Sequence, residues 1–197
     1  VVVHPSVPVR SVKDLIALAK AKPGQLNYAA GTIGTSPHLA TELFKTMAKV
    51  DMVHIPYKGG GPALSDLLGG QVPIFVAVIS TGVPPVKAGR AVALAVTGAK
   101  RSTALPDVPT VAETPGLKAY EASNWYGVVA PAGTPQTILS RLNKDLTAVL
   151  QSQDVRDVLL ARGIDAATST PDEFTAYIKS ESAKWGKVIR AANLKPS

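Results

Sequence analysis

The chain has 197 residues, 46% apolar and 18% charged, with 21 Lys and Arg against 14 Asp and Glu and a net charge of +7. That length and apolar content suit one or two domains with a proper core and exclude a disordered chain. The absence of cysteine excludes disulfides, thiolate metal sites and a cysteine nucleophile, and no apolar run of about 18 residues suggests a membrane-spanning helix.

The opening, Val1–His4, reads as a strand with no basic or apolar leader before it, as expected of a mature or N-terminally truncated chain. Ser11 caps a helix over Val12–Ala21, which Pro23-Gly24 stops. Leu26–Ala30 is a strand ending in the turn Gly31-Thr32-Ile33-Gly34. Ser36 is the expected N-cap of the next helix, with Pro37 at its first position and an end near Ala48. Met52–Ile55 is a strand. Pro62 opens a helix through Leu68. Val72–Ile79 reads as a long buried strand, Val83–Ala88 as a short helix and Ala91–Thr97 as another strand. This alternation predicts βαβ units, a mainly parallel sheet and an α/β fold class.

Lys100–Ala119, with Pro106, Pro109 and Pro115, is expected to be an extended connector. Trp125–Ala130 returns to strand, with Trp125 and Tyr126 expected in core or hinge packing. Pro135–Leu150 is a strongly amphipathic helix and Val155–Ala161 a shorter one. Thr170, Pro171 and Glu173 form a capping box that starts a final helix to about Ala192. With only ten aromatic residues, the core must be built mainly from Ala, Val and Leu.

Two strand-to-helix loops carry the chemistry. Gly31–His38 combines two glycines, which permit close backbone approach, with Thr32, Thr35 and Ser36 where a helix begins. The free N–H groups and positive dipole end of a helix suit an anion. The spacing fits neither a Walker loop nor a dinucleotide fingerprint. Pro56–Pro62 adds Tyr57 and Lys58 at the same sheet edge, where open α/β sheets bind ligands. The same residues also serve as ordinary turns and caps. Catalytic sets do not assemble. His4, His38 and His54 sit in separate contexts, and His38 with Glu42 lacks the second ligand pair a metal needs. No cofactor and no enzymatic activity are expected. The alternative is an enzyme using Gly31–His38 to hold a phosphorylated or carboxylate substrate. Net charge favours an anionic partner. Lys and Arg are scattered, with only Lys100 and Arg101 adjacent, so nucleic acid is not the expected partner.

The runs Gly31-Thr32-Ile33-Gly34-Thr35-Ser36-Pro37-His38-Leu39-Ala40 and His54-Ile55-Pro56-Tyr57-Lys58-Gly59-Gly60-Gly61-Pro62-Ala63, continuing to Gly69-Gly70-Gln71-Val72, resemble the Bug family. These are the substrate-binding proteins of tripartite tricarboxylate transporters. Ala93–Thr97, Leu105–Glu113 and Trp125–Pro135 follow the same pattern in the same order, so the resemblance covers essentially the whole chain. It implies a periplasmic protein of the type II periplasmic binding protein-like fold, with two lobes that close on a small organic carboxylate for delivery to membrane permease subunits. It also implies that the first lobe is incomplete here. Residues 1–6 would be the crossover strand, 7–123 the ligand-binding second lobe and 124–197 the return of the first lobe with its closing helices. Self-association through that exposed remnant is then expected. Ligand contacts carry over to Gly31, Thr32, Gly34, Thr35 and Ser36, with His38 supporting and Tyr57 nearby. Ala77 stands where many relatives have an Asp for a ligand's amino group, and Pro73 replaces another frequent Asp. A carboxylate without an amine is therefore the expected ligand.

Overall fold

The computed structural model describes residues 1–194. Five strands form one sheet: β1 (Val2–Val3), β2 (Asn27–Gly31), β3 (Val53–Tyr57), β4 (Ile74–Phe75) and β5 (Val92–Ala93), in the spatial order β3-β2-β4-β1-β5. β2 runs parallel to both β3 and β4, but β1 runs antiparallel to β4 and β5, with Val2 opposite Phe75 and Ala93. The sheet is therefore mixed, not wholly parallel, because the entering strand is wedged between two strands of the opposite direction.

Alternation of side chains along the strands supplies two cores. Val3, Tyr28, Ile74 and Val76 face one side, where α1 (Val12–Ala21) and α2 (Ser36–Ala48) bring Leu15, Ala19, Ala40 and Phe44. Val2, Ala29 and Phe75 face the other, where α3 (Gly60–Leu68) brings Ala63 and Leu67. Ser11 caps α1 by accepting from the Asp14 N–H (3.1 Å), and Val12, Leu15 and Ala19 repeat at helical spacing on the inner face. Both cores are dominated by Ala, Val and Leu, as the shortage of aromatics requires.

The expected strand Val72–Ile79 pairs only at Ile74–Phe75, and α4 begins at Ile79 and runs to Lys87. Val76–Val78 is a loop. The uninterrupted apolar run concealed a strand, a loop and the first turn of a helix, because all three are buried or half-buried. Strand Ala91–Thr97 is likewise shorter, although an isolated parallel bridge joins Val96 to Thr110. The connector after Lys100 contains one short 3-10 turn, Val111–Glu113, with Thr110 and Glu113 forming a capping box.

Trp125–Ala130 is no strand: it finds no neighbouring strand among the described residues, and Tyr126, Val128 and Val129 are exposed. Three helices follow: α5 (Gln136–Gln151), α6 (Gln153–Ala161) and α7 (Pro171–Ala191). α5 and α6 touch each other and bury no residue fully. α7 instead packs on α2, burying Val188 and Glu181. Glu181 accepts from the indole N–H groups of Trp185 (2.9 Å) and Trp125 (3.4 Å) and is paired with Lys184. Trp125 also meets the rings of Phe174 and Tyr177 edge-on.

Candidate functional site

The chain leaves β2 at Gly31 and turns into α2 within five residues. Gly31 is needed for contact inside the loop: a Cβ there would lie 2.7 Å from the Thr35 hydroxyl oxygen. Gly34 has φ +86°, a left-handed conformation that other residues adopt only with strain. Thr35, not Ser36, is the N-cap, and its hydroxyl does not cap the helix. It donates to the Thr32 carbonyl (2.8 Å), as does the Thr35 backbone N–H (3.1 Å). The loop thus closes on itself through Thr32 and Thr35, and Ser36 becomes the first helical residue, followed by Pro37. With no side-chain cap, and with Pro37 carrying no N–H, the Ser36 and His38 N–H groups of the first turn remain for an acceptor from outside.

Ser36 and Pro37 border a cleft of about 1270 Å³. Its lining includes Ala77, Val78 and Ser80 at the start of α4, which leaves the same edge of the sheet as α2, together with Trp125–Ala130 and, from α5, Leu142 and Leu146. α4 also lacks a side-chain cap, so two helix N-termini open onto one space. Thr97, Ser123 and Asn124 add polar groups to the lining. Among the sequence-derived candidates, Ser36 and Ala77 reach the cleft. Gly31, Thr32, Gly34 and Thr35 form the turn beside it, and their side chains and Cα atoms do not line it.

Tyr57 lies elsewhere. Its hydroxyl donates to Asp66 (2.7 Å), which, with burial, pushes its pKa up to about 12. It ties the β3–α3 loop to α3 and does not line the cleft. The hydroxyls of Ser80, Thr97 and Ser123 escaped the sequence reading because two of the apolar runs looked like unbroken strands. The pair Ser80-Thr81 just ahead of Pro84-Pro85 was the available signal for a helix start.

His38 and His54 do not sit in separate contexts. Their rings lie 4.2 Å apart at a tilt of 35°, and Tyr28 stacks on His54 at 5.2 Å. The Gly34 N–H donates to Nδ1 of His38 (3.2 Å), and Nε2 of His54 donates to the Gly31 carbonyl (2.9 Å). Both pKa values are held below the ordinary 6.5: His38 by burial and then by its neighbour His54, His54 by burial against the opposing Gly31 bond.

A family model described as "Tripartite tricarboxylate transporter family receptor" matches residues 1–194. The chain belongs to that family. It is similar to Protein BugT of Bordetella pertussis, with 37% identity over 194 residues, covering 98% of this chain and 59% of BugT. The structure "R. palustris Rpa4515 with adipate" superposes with a TM-score of 0.89 at 38% identity, covering 100% of this chain and 65% of that one. "MatC (Rpa3494) from Rhodopseudomonas palustris with bound malate" gives a TM-score of 0.78 at 27% identity, covering 95% and 65%. The chain therefore spans 59% to 65% of the length of these three relatives.

Proposed function

We propose that this protein captures a small organic carboxylate in the periplasm and passes it to the permease subunits of a tripartite tricarboxylate-type transporter, binding without catalysis. The observation that carries the reading is the pair of uncapped helix starts, at Ser36 and at Ile79, facing one cleft. Each offers unpaired N–H groups and a positive dipole end, and Ser36 and Ser80 add hydroxyl donors beside them. No acidic side chain stands at Ala77 to receive an amine, which favours a plain carboxylate. Two solved structures of similar fold are of Rpa4515 with adipate and MatC with bound malate, and both acids are dicarboxylates.

In this reading residues 7–123 form the lobe that holds one end of the ligand, and Asn124 onward belongs to the facing lobe. The exposed apolar residues of α5, among them Ile138, Leu142 and Val149, suit a surface that is covered in the working protein or joins a second copy. Calorimetry with adipate, malate and a tricarboxylate is the test. Binding of at least one, with little dependence on salt, is the expected result. Steep weakening with salt would point to a polyanion. Turnover of any bound acid would point to an enzyme.

A further inference from the structure

We propose that His38 and His54 are a close, tilted pair of positioning residues that hold the 31–34 loop in its binding shape while both rings are neutral, so that acid loosens the grip on a carboxylate. The inference rests on the reading that α2's N-terminus receives that carboxylate.

The two rings grip the two ends of one turn. The Gly31 carbonyl can only accept, so Nε2 of His54 carries a proton. The Gly34 N–H can only donate, so Nδ1 of His38 does not. The tautomers are thereby fixed by the backbone of the loop that enters α2. A proton added to Nδ1 of His38 would point at the Gly34 N–H, donor against donor. A Cβ on Gly34 would meet nothing within 4 Å, so open space borders the turn at this residue. A proton added instead to His54 leaves its Gly31 bond intact but places a cation against the neighbouring ring.

The surroundings offer that cation little. From α2, Glu42 lies 3.9 Å from Nε2 of His38. It is already engaged by the Lys45 ammonium (2.8 Å) and by the Tyr28 hydroxyl from β2 (3.0 Å). Lys45 itself repels a charged imidazole. The charged groups that bear on the two rings are thus Glu42 and Lys45, both on α2. His38 is 2% exposed, so water cannot take over the role of a counterion.

The test uses the full chain, adipate as the probe and a pH series between about pH 8 and pH 5. Imidazole and amide resonances are followed in the free protein, and adipate affinity is followed by calorimetry. The Gly34 amide signal should titrate in step with His38. His38→Ala should weaken adipate binding about ten-fold at neutral pH, the loss of one hydrogen bond's worth of loop order. His38→Asn, whose amide oxygen can accept from Gly34 but never titrates, should restore most of that loss. It should also fall less steeply in acid than the natural sequence, and comparison at each pH cancels the protonation of adipate itself. A Gly34 amide indifferent to His38, parallel acid profiles for the two proteins, or affinity that rises in acid would each overturn the proposal. Adipate bound by no variant at any pH would sink the carboxylate reading instead, and the Gly34 titration would then decide the brace alone.

Discussion

Ser36 is the side chain that both the loop geometry and the cleft single out. Its hydroxyl stands at the first helical position, at the cleft wall, and does not cap the helix. Ser36→Ala should weaken dicarboxylate binding about ten-fold, since a hydrogen bond to a charged acceptor is worth ~1.5–3 kcal/mol. The melting temperature should barely move, and calorimetry beside thermal denaturation checks both. Thr35 behaves differently because its hydroxyl is spent on the Thr32 carbonyl. Gly34→Ala strains a left-handed residue, and roughly 1–2 kcal/mol of stability should be lost in denaturant titration. The paired histidines add a pH dependence of stability. Their pKa values are lowered in the folded state, so below the ordinary 6.5 the unfolded chain binds protons that the folded chain refuses. Stability should hold above that value and decline as pH falls through the lowered values. Melting curves of the natural sequence and His38→Asn, the latter with a shallower decline, check the sign.

Among the elements, α3 and α7 make different demands. α3 covers one face of the sheet with two small inner turns, and Leu67 is fully buried against Ala29, Val72 and Phe75. Leu67→Ala should cost about 2–5 kcal/mol, because a thin covering layer cannot collapse into the space. α7 packs on α2. Its start is fixed by the Thr170 hydroxyl, which accepts from the third helical N–H (3.2 Å). Thr170→Ala should cost about 1 kcal/mol of helix stability. The near-ultraviolet signal of Trp125 and Trp185 should weaken with it, since both indoles hang on Glu181 of that helix.

At the scale of the whole molecule, the residues before Asn124 surround two cores, whereas those after it present apolar surface. Ile138 is 49% exposed, Val149 52% and Val158 55%. The segment Trp125–Ala130 lines the cleft together with residues of these helices and has no strand partner among the described residues. Unpaired backbone beside apolar helix faces favours association. Residues 1–197 on their own should scatter light as more than a monomer and bind a hydrophobic dye. Substituting Ile138, Leu142 and Val149 with Glu should reduce both, and a dye-silent monomer would show that these faces are covered within the chain.

The alternating apolar periods and the Ser11, Pro37 and Thr170 helix starts determined α1, α2, α7 and most of β2 and β3, because local propensity and packing agree there. The Gly31–His38 loop was legible for the same reason: glycine, hydroxyl and proline chemistry is local. What only the tertiary structure decided was partnership. Val1–His4 could not reveal that it runs against its neighbours, since strand direction depends on a pairing with residues about seventy positions away. Val72–Ile79 could not reveal where strand gave way to helix, because burial makes both apolar. His38 and His54 are sixteen positions apart in the sequence, and only the parallel pairing of β2 with β3, with α2 following β2, brings their rings together against one turn. Sequence proximity reports caps and turns; contacts across a sheet are set by the closure of the fold, which no local pattern records.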